Sequence, residues 1–134
     1  MTRPKIESIS PFFIVSHVET IITFYQDKLG FELKYKEPEQ DPFFAIVARD
    51  GAWLHLKAGE AEPLSNPRRD PAMRWDAFCE TFDPDALAAE FTARGAPFSN
   101  PLKDTCEGLR GFEITDPDGY VLFFGCPRET AQSD

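Results

Sequence analysis

Histidine, cysteine and positive charge are scarce in this sequence, and each scarcity removes a class of function. The chain of 134 residues holds two histidines, His17 and His55, and three cysteines, Cys79, Cys106 and Cys126. An odd cysteine count with no CxxC spacing argues against a disulfide framework and a zinc knuckle, and points to a reducing, cytoplasmic setting. Lys and Arg number 14 against 23 Asp and Glu, a net charge of −9. A polyanionic nucleic acid would be repelled by that balance. No apolar run approaches a membrane span, and the opening MTRPKIESISPFF has no apolar core of a signal peptide. Neither nucleic acid nor membrane is therefore expected as a partner. What the chain has in abundance is aromatic residues, 13 Phe, 3 Tyr and 2 Trp, the side chains that bury most area.

The same order of elements can be read twice. Residues 6–15 read as a strand. Ser16 and Glu19 have the spacing of a capping box, and Val18, Ile21, Ile22, Tyr25 and Leu29 recur at helical spacing up to Gly30. Phe31, Leu33 and Tyr35 alternate with charged residues, as in a half-solvated strand. Strands over 43–48 and 52–57 follow, joined by an Arg49-Asp50-Gly51 turn. After a proline-rich, aperiodic linker, residues 75–82 start the second pass. Asp83 is an N-cap, Pro84 fits the first helical position, and Leu87, Ala88 and Phe91 line one face before Gly95. A weak strand near 97–102 precedes strands 109–115 and 120–125, joined through Asp116-Pro117-Asp118-Gly119. The expected fold is α+β: two tandem βαβββ modules, 1–57 and 75–127, with a linker over 58–74 and a tail over 128–134. They would form one curved mixed sheet around a cavity, helices outside, as one structural domain.

The segments FYQDKLGFEL (24–33), RDGAWLHLK (49–57), FDPDALAAEF (82–91) and GLRGFEITDPDGYVLFFG (108–125) resemble the vicinal oxygen chelate superfamily. That group includes glyoxalase I, extradiol dioxygenases, fosfomycin-resistance enzymes and bleomycin-resistance proteins, and the last type is the most similar. The resemblance covers nearly the whole chain, but its motifs are helix-packing and turn elements, informative about fold more than chemistry. It implies a homodimer whose pocket a second subunit completes. It also implies that metal ligands, where the family has them, would fall at Ser10, His55, Asp76 and Phe123. A divalent ion wants three or more imidazole or carboxylate donors. A hydroxyl and a phenyl ring stand at two of these positions, so no metal or other cofactor is expected.

The resemblance therefore turns attention to the cavity wall. Trp53 precedes His55 by two residues and shares its sheet face; Phe12 relates to Ser10, and Phe78 to Asp76, in the same way. Phe43, with the parity of Ala45 and Val47, and Phe123 complete an aromatic wall suited to a planar or cationic ligand. His55, Asp76 and, by resemblance to fosfomycin-resistance enzymes, Glu113 supply its polar features. Phe44, Ile46, Phe112, Ile114 and Leu122, of the opposite parity, should pack under the helices. The function expected is sequestration of a small molecule without catalysis. The rival is a lyase, isomerase or dioxygenase holding a metal on His55, Asp76 and Glu113.

Overall fold

The computed structural model describes residues 3–128. The elements in chain order are β1 (Phe12–Ile14), α1 (Val18–Leu29), β2 (Glu32–Glu37), β3 (Phe44–Arg49), β4 (Ala52–Lys57), α2 (Asn66–Arg69), β5 (Ala77–Glu80), α3 (Pro84–Ala93), β6 (Phe98–Asp104), β7 (Leu109–Thr115) and β8 (Val121–Pro127). The strands form two four-stranded mixed sheets of identical topology, β1-β4-β3-β2 and β5-β8-β7-β6. In each, the first strand runs parallel to the last and the remaining pairs are antiparallel. The fold is α+β as expected, with two separate sheets in place of one continuous sheet.

Local chemistry explains the helices and one departure from expectation. Gly30 ends α1 in the left-handed conformation (φ 71°), and its amide bonds back to the helix. At α3 the Asp83 carboxylate accepts from the Ala86 amide at 3.1 Å and Pro84 occupies the first turn. The expected capping box at α1 does not form. His17 is the N-cap and gives no side-chain cap. Ser16 instead donates its amide (2.9 Å) and hydroxyl (2.7 Å) to the Asp118 carboxylate in the turn of the second module. A distant acceptor has won over the local one. Two further differences concern length: β1 spans Phe12–Ile14 only, and the 58–74 stretch contains the single turn α2, capped by Ser65.

Each long helix covers one face of its own sheet. Val18, Ile21, Ile22, Tyr25 and Leu29 of α1 meet Ala45, Val47, Leu54 and Leu56, while Ala88 and Phe91 of α3 meet Phe112, Ile114, Leu122 and Phe124. These residues form one core shared by both modules. Polar contacts fasten the join. The Arg49 guanidinium grips Glu90 with two bonds of 2.8 and 2.9 Å and caps the Leu29 carbonyl of α1. Phe13 stacks on Tyr120 at 4.3 Å, and the Tyr120 hydroxyl donates to the Ile14 carbonyl. The buried Tyr25 hydroxyl donates to Asp116 at 2.9 Å.

Asp116 also accepts from the Asp118 and Tyr120 amides, yet burial outweighs these bonds and pushes its carboxyl up to about 6. A carboxyl whose folded pKa lies above its unfolded value, about 4, gives stability below pH ~4 that is lost as pH rises through the folded value. Urea unfolding of the wild type against Asp116→Asn, which cannot ionise, should therefore show the wild type losing on the order of 2–3 kcal/mol relative to the variant between pH 4 and 7. A difference that stays flat across that range would refute this account.

Candidate functional site

The sheet faces turned away from the helices carry several aromatic residues left in solvent, Phe12, Tyr35, Trp53 and Phe78 among them. On the first sheet, register places Phe12 and Ile46 beside His55 on this free face. The Phe12 ring lies 4.6 Å from the imidazole, and Phe44 packs against it at 5.6 Å. Enclosed by these rings, His55 Nδ1 is buried and has no hydrogen-bond partner among the described residues. A buried polar atom left unpaired is costly, so this nitrogen is a ready bonding group for something that enters the face.

The parity expected for β3 is corrected here. Ala45 and Val47 are fully buried under α1, whereas Phe44 and Ile46 stand on the free face. Phe43 therefore does not join the aromatic wall. It precedes β3, is half exposed, and has the Lys57 ammonium over its ring at 5.7 Å. Small Ala45 and Val47 fit closely beneath a helix, which larger Phe44 would obstruct. Tyr35 was also concealed from a simple alternation. A register shift between Leu33 and Tyr35 sets Leu33 opposite Val47 and Tyr35 opposite Ile46, so the two residues face opposite sides. Tyr35 consequently packs beside Phe44 at 6.1 Å.

On the second sheet the expected parity holds for the core residues: Phe112, Ile114 and Leu122 are buried under α3. Phe78 and Phe123 share the opposite face, 5.2 Å apart. Phe123 is nevertheless only 1% exposed. Its ring lies over Gly111 and Gly125, where a Cβ on either glycine would overlap it, and Trp75 stacks on it at 4.4 Å. Trp75, absent from the expected wall, thus takes the outward place assigned to Phe123. The Trp75 indole N–H donates to Glu113 at 2.8 Å, and the Arg74 guanidinium approaches the same carboxylate at 3.5 Å.

Asp76 has a structural task. One of its oxygens accepts from the Asn66 amide at 2.7 Å and the other from the Val121 amide at 2.8 Å, tying α2 to the start of β8. Trp53, Asp76 and Phe78 line one cleft of about 630 Å³, which opens between the start of β4 and β5. Phe12 and His55 form a separate group on the first sheet, and Trp75, Phe78, Glu113 and Phe123 another on the second. Among the described residues no ring of the first group pairs with a ring of the second.

This donor set does not fit the divalent metal that part of the resembling superfamily uses. Phe123 offers no lone pair, and Asp76 has both oxygens committed to backbone amides. His55, Asp76 and Glu113 do not gather either: among the described residues no three His, Cys, Asp or Glu side chains come together as a metal site.

The family model for the Glyoxalase/Bleomycin resistance protein/Dioxygenase superfamily matches residues 5–124. The chain belongs to that superfamily. Its fold is similar to the bleomycin-binding protein of bleomycin-producing Streptomyces verticillus, solved with copper(II)-bleomycin, at 26% identity and TM-score 0.69, covering 94% of this chain and 100% of that one. TnmS3, an antibiotic binding protein from Streptomyces sp. CB03234, is 27% identical with TM-score 0.63 over 95% of this chain and 98% of that one. TioX from Micromonospora sp. ML1 shares the fold at 19% identity, TM-score 0.71, covering 90% and 98%. No curated protein sequence matches the chain. The geometry shows which of the expected site positions are structural here: Asp76 holds two backbone amides and Phe123 lies packed beneath Trp75.

Asp76→Ala should accordingly cost about 2 kcal/mol of folding stability, because two amides lose their acceptor. Chemical denaturation checks this, with Asp76→Asn, which keeps one acceptor, expected to fall between the variant and the wild type. Equal stability of Asp76→Ala and the wild type would contradict a structural task for this carboxylate.

Proposed function

We propose that the chain is a binding protein that sequesters a planar small molecule, aromatic and in part cationic, without transforming it and without a metal. The observation that carries this reading is the pair of free sheet faces, with exposed Phe12 (63%) and Trp53 (38%) on the first sheet and Phe78 (46%) on the second, and His55 Nδ1 set among rings without a partner among the described residues. Exposed aromatic rings offer large stacking area at small conformational cost, and a lone buried nitrogen supplies orientation. Membership of the superfamily, and similarity to a bleomycin-binding protein and an antibiotic binding protein, support the same class of ligand.

The protein works as a homodimer in this proposal. Each sheet presents an aromatic half-site, and exposed apolar area of this kind is what a second copy would cover. Facing the first sheet of one copy with the second sheet of another would close both half-sites around a ligand. No described helix is long and apolar enough to cross a membrane, and all three cysteines are free, in keeping with work in the reducing cytoplasm.

Isothermal titration with copper(II)-bleomycin and a panel of planar aromatic compounds is the direct test. Binding at micromolar or lower concentrations is expected for at least one, weakened roughly tenfold by His55→Ala or Trp53→Ala. Heatless titrations across the whole panel would overturn the proposal. Light scattering after gel filtration should give twice the 15.2 kDa of one chain, and a monomer at micromolar concentration would remove the dimeric pocket.

A further inference from the structure

The second half-site already holds a cation, and it belongs to the chain itself. The Arg74 guanidinium lies over the Trp75 ring at 5.0 Å. Phe123 stacks flat on one side of that indole, so the guanidinium takes the other. Two carboxylates hold it there: Glu107 through a direct ion pair, and Glu113 at 3.5 Å. Glu113 is the more enclosed, its side chain 13% exposed, and the indole N–H donates to the same oxygen. An aromatic face flanked by two carboxylates is the arrangement that recognises a planar cation. Its present occupant comes from an irregular stretch between α2 and β5 and is itself 40% exposed. A long side chain anchored at the surface can swing into water without disturbing either sheet.

We infer that the Trp75 face with Glu107 and Glu113 is a subsite for the cationic group of the ligand, an aromatic amidine or guanidine, and that Arg74 is an internal competitor which such a ligand displaces. This rests on the proposed binding function and adds the ligand's charged group and the residue that sets the threshold for its entry. Displacement leaves the number of ion pairs unchanged, because one guanidinium-like cation replaces another. A neutral ring of the same shape gains no ion pair there, with or without Arg74. The two carboxylates thereby select for charge, and Arg74 sets the threshold that an incoming cation must exceed.

The test uses the aromatic diamidine 4′,6-diamidino-2-phenylindole and its neutral parent 2-phenylindole, both followed by fluorescence with the full chain. Arg74→Ala should bind the diamidine roughly tenfold more tightly than the wild type, since the competitor is gone and both carboxylates are free. Adding Glu113→Gln, which retains an acceptor for the indole N–H, should cancel that gain. Affinity for 2-phenylindole should change by less than about twofold in either variant. Arg69→Ala removes the same charge from α2, outside the subsite, and should leave diamidine affinity near the wild-type value. If 2-phenylindole binds but Arg74→Ala leaves diamidine affinity unchanged or weaker, the competitor role falls and the aromatic binding site stands. If neither probe binds any of these proteins, both fall together.

Discussion

Each four-stranded sheet here has a single long helix to cover it, and a single helix covers a single face. That limit governs the rest of the molecule. The α1 and α3 faces merge into one core, fastened by the Arg49–Glu90 pair, the Tyr25–Asp116 bond and the Ser16–Asp118 bonds. Once the helix sides of both modules are joined, the opposite sheet faces remain without cover. Apolar side chains there can be reconciled with water only by a ligand, a partner or one another. Phe12 and Phe78 remain largely exposed, while Phe123 has been covered by Trp75.

The second sheet shows how a position that could carry a metal ligand becomes part of the packing. Gly111 and Gly125 are register partners, and neither puts a side chain on their shared rung. The gap admits the Phe123 ring laid along the sheet, and Trp75 closes over it. Glu113 then serves the indole N–H and Arg74. Every polar group in this corner has a protein partner. On the first sheet the balance is different, because His55 Nδ1 is buried without one among the described residues. The two half-sites are therefore unequal: one presents an unanswered nitrogen among rings, the other an aromatic face that its own arginine occupies.

Local signals made much of the architecture legible. The helices over Val18–Leu29 and Pro84–Ala93 follow from apolar spacing, from Gly30 and from the Asp83-Pro84 start. The turns at Gly51 and Gly119 follow from their composition. The departures share one cause, which is competition from residues distant in sequence. Ser16 left its expected cap for Asp118, 102 residues away. A single register shift turned Tyr35 to the face opposite Leu33, and the space beneath α1 admitted Ala45 and Val47 in preference to Phe44 and Ile46.

By itself, the sequence determined the repeated order of elements, the two long helices and the aromatic character of the free faces, because periodicity and turn chemistry act over a few residues. Tertiary structure alone decided which aromatics are accessible and which acids are available. Asp76 became a structural acceptor because the Asn66 and Val121 amides converge on it, and Trp75 replaced Phe123 at the surface because two glycines on neighbouring strands left room for the phenyl ring beneath it. Those outcomes depend on register and on contacts between distant segments, which no local pattern encodes.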